Sequence, residues 1–443
     1  MSQLVVATEC PSCGAPLDVS EGANTIRCGN CRSNLLVTGR KQVLSYYVPA
    51  RITEETARAL AMTRPPATRV VTVELHFIPY YRLTGHDLGW QAGAAEPSPG
   101  HDAAGDPTLA LFRSAHAEGR ALAAAIMRGQ APTRMSEHGP LKLLDRYVEK
   151  SFVARDIPEL SAYSLGVRAQ VLRVELVKAG TLEQLGKAVG IGIDVPAAIA
   201  RGLTDGTADR LIYRQVLART LSVIYFPYWV IEHEDRGESW LTLVDGVTER
   251  VAQAGAPRSL RQALGARASG DLPTAGFRPL VCPNCGWDLP VSADDVVFVC
   301  ASCEKAWQLQ GTEMTDVPHE IAAVSGAGDA VYLPFWQLEG GARSCCVPAF
   351  RYRRLKALAD LAARLAATPL RFDRWTGPRP RLRGCFYDFD DACLLAQFVA
   401  VGAGSPTVER PGGGKLVWLP FKREGRSLID PFTGMGLQEG LLV

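Results

Sequence analysis

The chain carries one cysteine pattern twice, first as Cys10-Pro11-Ser12-Cys13 with Cys28-Gly29-Asn30-Cys31, and again as Cys282-Pro283-Asn284-Cys285 with Cys300-Ala301-Ser302-Cys303. In each copy fourteen residues separate two Cys-x-x-Cys pairs, and every cysteine of the second copy lies 272 residues after its counterpart. Two tight turns at this spacing can present four thiolates to one tetrahedral metal ion. The pattern therefore predicts two metal sites, with zinc as the favoured ion.

Both cysteine regions resemble zinc ribbons, which are small metal-pinned β modules related in knuckle geometry to rubredoxin. The resemblance covers these two regions alone and implies one structural metal ion in each. A site with four thiolate ligands has no open position for water or substrate, so neither site is expected to be catalytic. The implied metal ligands are Cys10, Cys13, Cys28, Cys31, Cys282, Cys285, Cys300 and Cys303.

The same cysteines leave alternatives open. Disulfide bonds are one, although an intracellular redox potential disfavours them. Iron is another, because rubredoxin uses four such cysteines for one-electron transfer; the fourteen-residue spacer is shorter than that family's usual insert. A third is that one of the two regions binds no metal. We expect two zinc ions.

The composition is that of a globular protein with several domains. The chain has 443 residues, of which 47% are hydrophobic and 21% charged, and its formal charge of +2 gives no overall preference for nucleic acid or membrane. The first residues lack the basic region of a signal peptide, and no apolar run reaches the length of about eighteen residues that a membrane span needs. We therefore expect a soluble cytoplasmic protein.

The remainder of the chain predicts an α+β body. Residues 69–81 alternate apolar and polar side chains, as a strand does, and Thr53 is a predicted N-cap for a helix. The stretch 107–218 predicts a mostly helical insertion. Its expected elements are helices at 107–129, 140–152, 181–188, 194–202 and 206–218, with a strand at 166–177.

A second repeat does not involve cysteine. Four strands share an order of aromatic or apolar residues around a proline: Phe77–Tyr81, Tyr225–Trp229, Tyr332–Trp336 and Trp418–Lys422. Because proline cannot donate to a sheet ladder, we expect these strands at sheet edges or with a bulge at the proline. Their aromatic side chains are expected to lie in the core.

Further matches suggest an internal duplication. Asp245 and Asp430 occupy similar predicted turns, and Val48-Pro49-Ala50 recurs as Val347-Pro348-Ala349 before a helix. The hypothesis is that 1–92 with 219–255 corresponds to 282–443, leaving 107–218 as the insertion. The predicted domains are a zinc ribbon at 1–45, an α+β domain at 46–267 with the insertion at about 107–218, a linker at 268–280, a second ribbon at 281–312 and a second α+β domain at 313–443.

Other candidate sites have simpler interpretations. Cys345, Cys346, Cys385 and Cys393 are expected to be buried thiols, and His86-Asp87 a solvated turn after the Pro79 strand. The sequence contains no nucleophile elbow, dinucleotide fingerprint or P-loop. Residues 351–383 concentrate basic side chains around Tyr352, Phe372 and Trp375: Arg351, Arg353, Arg354, Lys356, Arg364, Arg371, Arg374, Arg379, Arg381 and Arg383.

These observations favour a non-enzymatic adaptor or scaffold. Two structural zinc ribbons would brace an α+β body that binds another protein. One alternative is a nucleic-acid-binding protein that uses the arginine-rich 351–383 surface, because arginines with aromatics suit phosphate contact and base stacking. The other is a redox or catalytic protein whose site is assembled from residues distant in sequence.

Overall fold

A computed structural model gives the structure of the chain. It describes residues 4–39, 43–62, 69–92, 141–157, 173–178, 180–204, 211–235, 238–254, 257–265, 276–292, 294–310, 313–324, 330–339, 345–377, 379–402 and 410–443. The chain divides into two compact units: unit 1 comprises 1–84, 148–204 and 219–280, and unit 2 comprises 85–147, 205–218 and 281–443.

The described residues form six α-helices and many strands. The helices are α1 (Glu54–Met62), α2 (Thr181–Leu185), α3 (Val195–Leu203), α4 (Pro257–Gly265), α5 (Leu355–Ala367) and α6 (Phe389–Gly402). The strands are β1 (Val5–Glu9), β2 (Pro16–Ser20), β3 (Thr25–Arg27), β4 (Asn34–Thr38), β5 (Leu44–Tyr47), β6 (Arg69–Ala92), β7 (Leu141–Val153), β8 (Arg173–Leu176), β9 (Lys187–Ala188), β10 (Leu211–Asp235), β11 (Glu238–Asp245), β12 (Val251–Ala254), β13 (Gly276–Pro279), β14 (Val297–Val299), β15 (Ala306–Gln310), β16 (Glu313–Val317), β17 (His319–Ala323), β18 (Ala330–Glu339), β19 (Cys345–Pro348), β20 (Asp373–Arg374), β21 (Gly413–Glu424), β22 (Ser427–Ile429) and β23 (Gly436–Gln438).

The largest sheet follows the order β12-β11-β10-β5-β8-β1-β2, with β6 also paired to β10 and with β7 and β9 on β6. Strand β10 is apolar at consecutive positions because both of its faces are buried. Ile224 and Phe226 belong to one cluster of core side chains, whereas Val223 and Tyr225 belong to another. This alternation is the period of two that a strand imposes on its side chains.

The sheet of unit 2 has the order β19-β18-β21-β17-β20, with β22 paired to β21 and β23 paired to β22. Helix α5 buries Leu355, Leu358, Ala362 and Leu365, as the spacing of its apolar residues predicts. Helix α6 begins after Asp388, whose Oδ1 accepts the backbone N–H of Asp391. The described residues form a mixed, strand-rich α and β architecture, which is consistent with the predicted α+β class.

Within the described part of 107–218, the segment expected as a helical insertion is only partly helical. Residues 141–153 form β7 and 211–218 begin β10, so the helices expected at 140–152 and 206–218 are wrong. Cross-strand packing has prevailed here over the local helical pattern. The helix near 194–202 is confirmed as α3, and the short helix α2 starts at the predicted residue 181. Helix 107–129 lies outside the described residues, as does most of the predicted strand 166–177, whose end is β8.

Two further predictions change in the structure. Residues 276–279 of the expected linker form β13, which pairs with β4; its residues 268–275 lie outside the described residues. Val48-Pro49-Ala50 and Val347-Pro348-Ala349 match in sequence, but the strands that carry them pair differently with their neighbours. Strand β5, which leads into Val48, runs parallel to β10, whereas Val347 lies in β19, antiparallel to β18.

The strand prolines Pro227, Pro334 and Pro420 lie in strands with neighbours on both sides and not at sheet edges. Strand β10 pairs with β5 through Tyr225 and with β11 from Tyr228, so Pro227 falls between the two ladders. In the same way β21 pairs with β17 through Trp418 and with β22 from Lys422. Pro420 falls between those ladders. The missing N–H is therefore located where one neighbouring strand ends and the next begins.

In unit 1 a short set of hydrogen bonds organises the chain around Pro79. The N–H of Ala154 donates to the carbonyl of Pro79 at 2.8 Å, and the N–H of Ile193 donates to the carbonyl of Ala154 at 3.0 Å. The hydroxyl of Tyr81 then donates to the carbonyl of Ile193 at 2.8 Å. Helix α3 follows, with Asp194 as its N-cap.

The same arrangement occurs around Pro334 in unit 2. The N–H of Ala349 donates to the carbonyl of Pro334 at 2.9 Å, and the N–H of Tyr387 donates to the carbonyl of Ala349 at 3.1 Å. The indole N–H of Trp336 donates to the carbonyl of Tyr387 at 2.9 Å. Helix α6 follows, with Asp388 bonded to its first turn.

Asp245 and Asp430 are turn residues, as predicted. Oδ1 of Asp245 accepts the N–H groups of Val247 and Thr248 at 2.9 Å each. Asp430 accepts the N–H groups of Phe432 and Thr433 at 3.0 and 2.9 Å. Each carboxylate therefore satisfies the backbone of its own turn, the usual role of aspartate at such a position.

We predict that Trp336→Ala lowers the free energy of unfolding of unit 2 by about 3–5 kcal/mol, because a buried ring and its hydrogen bond are lost together. Trp336 is only 2% exposed. Urea denaturation of the full chain, followed by near-ultraviolet circular dichroism, measures this loss. The matched control is Trp287→Ala, which removes a largely exposed indole. Equal, small effects of the two substitutions would show that Trp336 is not a core residue.

Candidate metal centres

Each cysteine quartet is presented by two tight turns with the same backbone hydrogen bonds. In cysteine module 1 (residues 4–39), the N–H of Cys10 donates to Ala15 O at 2.8 Å and the N–H of Gly14 donates to Cys10 O at 2.8 Å. In cysteine module 2 (residues 281–317), Cys282 and Gly286 make the equivalent bonds at 2.8 and 2.9 Å. These bonds fold the chain back so that both cysteines of a pair face one point.

Positive φ angles make these turns possible. Gly14 and Gly286 have φ values of 70° and 76°, as expected for the glycine after each first pair. The second turn of each module places a non-glycine residue there instead, Arg32 at 63° and Glu304 at 59°. This costs about 1–2 kcal/mol per residue. This strain was not foreseen from the cysteine pattern.

The four sulphur atoms of each quartet lie within 4.8 Å of one another. In a tetrahedral site with metal–sulphur bonds of about 2.3 Å, neighbouring sulphurs are about 3.8 Å apart. The closest Sγ–Sγ distances are 3.7 Å for Cys10–Cys31, 3.8 Å for Cys13–Cys28, 3.5 Å for Cys282–Cys303 and 3.5 Å for Cys285–Cys300. All eight cysteines are free thiols, and both groups have the spacing of a four-sulphur metal site.

Polar groups around module 1 favour thiolates. Hydrogen bonds from the side chain and then the backbone of Ser33 lower the pKa of Cys31 to about 6. The backbone N–H of Ala15, followed by the side-chain amide of Asn30, lowers the pKa of Cys13. Burial raises the pKa of Cys10. Since thiolates are the form that binds metal, the donors at Cys13 and Cys31 favour that form.

Each quartet is held by a small three-stranded sheet. Strands β14, β15 and β16 are consecutive in module 2, whereas module 1 combines β3 and β4 with the distant strand β13. Phe277 of β13 packs on the cluster that contains Cys10 and Cys28. The spacing of the cysteines does not reveal this third strand, although the apolar character of Phe277 within the expected linker is a weak signal of it.

Module 2 is fastened to the rest of unit 2 through Cys385 and Arg379. The N–H of Val296 donates to Cys385 O at 2.7 Å, and Nη1 of Arg379 donates to Cys300 O at 2.9 Å. Cys346, Cys385 and Cys393 are buried, as predicted, whereas Cys345 is only half-buried. Burial raises the pKa of Cys393 to about 11. These thiols are packing groups in the structure.

His86 and Asp87 do not lie in a solvated turn. Both belong to β6, and Asp87 is fully buried. Its carboxylate accepts two hydrogen bonds from Arg214, at 2.7 and 2.6 Å, and one from Arg146 at 2.9 Å. Burial, with a smaller contribution from Arg351, lowers the pKa of His86 to about 4. Asp87 can be buried because Arg146 and Arg214 pair with its carboxylate. These arginines lie on β7 and β10, far from Asp87 in the chain, so the sequence did not indicate the burial.

The basic segment 351–383 divides by side-chain exposure. Arg351 and Arg379 are partly buried, and Tyr352 is buried. Phe372 packs against Phe432 with ring centroids 6.3 Å apart, and Trp375 packs against Tyr332 at 6.0 Å. The aromatic side chains therefore face the protein. The remaining basic residues are exposed: Arg353, Arg354, Lys356, Arg364, Arg371, Arg374, Arg381 and Arg383.

Comparisons with known proteins add no relative. No family, no curated protein and no solved structure matches this chain. Among the residues described, no helix combines the length and apolar content that crossing a membrane requires.

We predict that Cys13→Ser and Cys285→Ser each lose one metal ion and unfold only their own module. Metal binding in such modules contributes to folding on the order of 10 kcal/mol, and each quartet has its own supporting sheet. Elemental analysis with limited proteolysis of the purified variants measures both effects. Cys345→Ser, outside the quartets, is the control and should retain both ions. Loss of both ions from either quartet variant would show that the modules fold as one cooperative unit.

Proposed function

We propose that this chain is a non-enzymatic scaffold protein in which two structural zinc ions brace an α+β body that binds another protein. The observation that carries the proposal is that each candidate metal site is formed by four cysteine sulphurs within 4.8 Å of one another. A metal ion there would have a complete protein shell and no position for water or substrate. Such sites stabilise a fold and do not activate a ligand.

Zinc is proposed for both sites because the ligand set and the closed tetrahedral arrangement are those of structural zinc. Iron is the competing ion, since it also accepts four thiolates. In cells a zinc site of this kind stays redox-inert, which suits a bracing role. The proposal places the protein in the cytoplasm, where thiols stay reduced.

Three buried aspartates have structural contacts. Asp245 and Asp430 bond to their own turns, and Asp87 is enclosed by two arginines. Their carboxylates are thereby committed to backbone and guanidinium donors. This supports a body that acts through its surface and not through a reaction centre.

We also propose that the two units descend from one ancestral unit. The supporting observations are the matched hydrogen bonds at Pro79 and Pro334, the matched helix caps at Asp194 and Asp388 and the two aspartate turns. Under this proposal α3 corresponds to α6. Much of the segment expected as an insertion would then belong to the repeated unit.

We predict about two zinc ions per chain by elemental analysis of protein purified without chelator, with four sulphur ligands at about 2.3 Å by X-ray absorption. Zinc is expected because closed thiolate sites retain it. The comparison sample is the chain carrying both Cys13→Ser and Cys285→Ser. A content near zero, or an iron–thiolate absorption band in the native protein, would contradict the proposal.

The partner can be identified by cross-linking the tagged chain in its native cells and comparing the co-purified proteins with those of the double cysteine variant. A partner of the α+β body should be retained by both. If the purified chain converted a substrate to product, the catalytic alternative would be favoured instead.

The exposed basic side chains of 351–383 support nucleic-acid binding as a second candidate. Phosphate contacts predict an affinity that falls steeply with salt, by about one power of the salt concentration per contact. Fluorescence anisotropy with a labelled oligonucleotide at several salt concentrations measures this slope. Arg353→Ala and Arg371→Ala should each reduce it if this surface binds, whereas a slope unchanged in both variants would exclude the surface.

A further inference from the structure

Module 2 presents a tryptophan to solvent at the turn of its first cysteine pair. Trp287 is 67% exposed, the highest value among the large apolar side chains of the described residues. Tryptophan is usually largely buried, because its indole removes a large apolar area from water. An indole held out at a rigid turn therefore needs an explanation beyond the packing of this protein.

The turn itself does not require this side chain. In module 1 the same position is Ala15, and the N–H of Cys10 donates to its carbonyl at 2.8 Å. In module 2 the N–H of Cys282 donates to the carbonyl of Trp287 at the same distance, 2.8 Å. Both bonds use the backbone alone. The two turns therefore form equally well with a methyl group and with an indole.

Two further apolar side chains on the same hairpin are exposed. Val281 is 40% exposed and Val291 is 37% exposed. Val281 forms a β-bridge with Asp288, the residue next to Trp287. In module 1 the corresponding residues are Glu9, which is charged, and Val19, which is buried. The exposure of these apolar side chains is thus a property of module 2 and not of the shared fold.

The charge of the hairpin that carries Trp287 indicates what kind of partner could cover the indole. Residues 281–295 contain Asp288, Asp294 and Asp295 and no lysine, arginine or histidine. Asp288 is exposed. The side chain of Asp294 is 47% exposed and pairs with Arg351, whose Nη1 lies 3.5 Å from its Oδ2. Four thiolates around one divalent ion would add further negative charge. Such a surface repels phosphate and attracts basic groups.

We propose that Trp287, on the hairpin that also exposes Val281 and Val291, anchors a docking surface for a protein segment that presents an apolar side chain flanked by lysine or arginine. A rigid exposed indole with a polar rim is the composition of an interface anchor. This surface lies on module 2, outside the α+β body to which the proposed function assigns binding. The docking proposal can therefore prove wrong while the proposed scaffold function of the α+β body still holds.

The test uses a display library of random twelve-residue peptides, selected on the full-length zinc-loaded chain and counter-selected on Trp287→Ala. That substitution installs the residue of module 1, so the turn should form and the metal content should not change. We expect the enriched peptides to share an aromatic or aliphatic residue beside lysine or arginine. Trp287→Ala should weaken their binding by about tenfold or more.

Two further variants and an oligonucleotide test whether the surface binds a basic peptide or another ligand. Asp288→Asn should weaken binding less than Trp287→Ala and reduce its dependence on salt. Trp240→Ala, on strand β11 of unit 1, should leave binding unchanged. The proposal is overturned if no enriched peptide distinguishes wild type from Trp287→Ala or if the enriched peptides are acidic. Binding of oligothymidine that depends on Trp287 would also overturn it, by assigning the indole to base stacking.

Discussion

Mutual repulsion among four closely spaced thiolates is the constraint on which both cysteine modules depend. Sulphur atoms at 3.5–3.8 Å can all be ionised only when a cation lies among them, because like charges at this separation repel strongly outside bulk water. Module 1 buries Leu17, Val19, Leu35 and Val37 around Cys10 and Cys28. The proposed metal ion would add to this packing the neutralisation of the four thiolates, whereas the large sheets of units 1 and 2 rest on buried apolar surface.

Those large sheets follow a common set of rules. Proline is placed where a strand changes partner, and an aspartate closes the turn after β11 in unit 1 and after β22 in unit 2. Several buried charged groups of the described residues lie in pairs or larger groups. Arg82, for example, contacts both Glu21 and Glu149, and Ser222 donates to Glu21 at 2.6 Å. Such burial is tolerated only when every charge has a close partner.

The two modules differ mainly in what they show to solvent. Their turns share the same hydrogen bonds, but module 1 has Ala15 where module 2 has Trp287. When a scaffold is repeated within one chain, positions that the fold leaves free are the ones that can diverge in function. The turn at Trp287 is such a position. The exposed arginines of 351–383 are others; the neighbouring aromatics Phe372 and Trp375 are partly buried against other rings of unit 2.

The sequence by itself determined the local features of this protein. Cysteine spacing identified both quartets, the apolar periodicity identified α5, and Asp245 and Asp430 were recognisable as turn residues, because each of these depends on residues close in the chain. Tertiary structure decided the rest. Residues 141–153 are a strand because they pair with β6, β13 completes module 1 from far along the chain, and Asp87 is buried because Arg146 and Arg214 reach it. Partners distant in sequence leave no periodic signal, so their effects become visible only once the chain is folded.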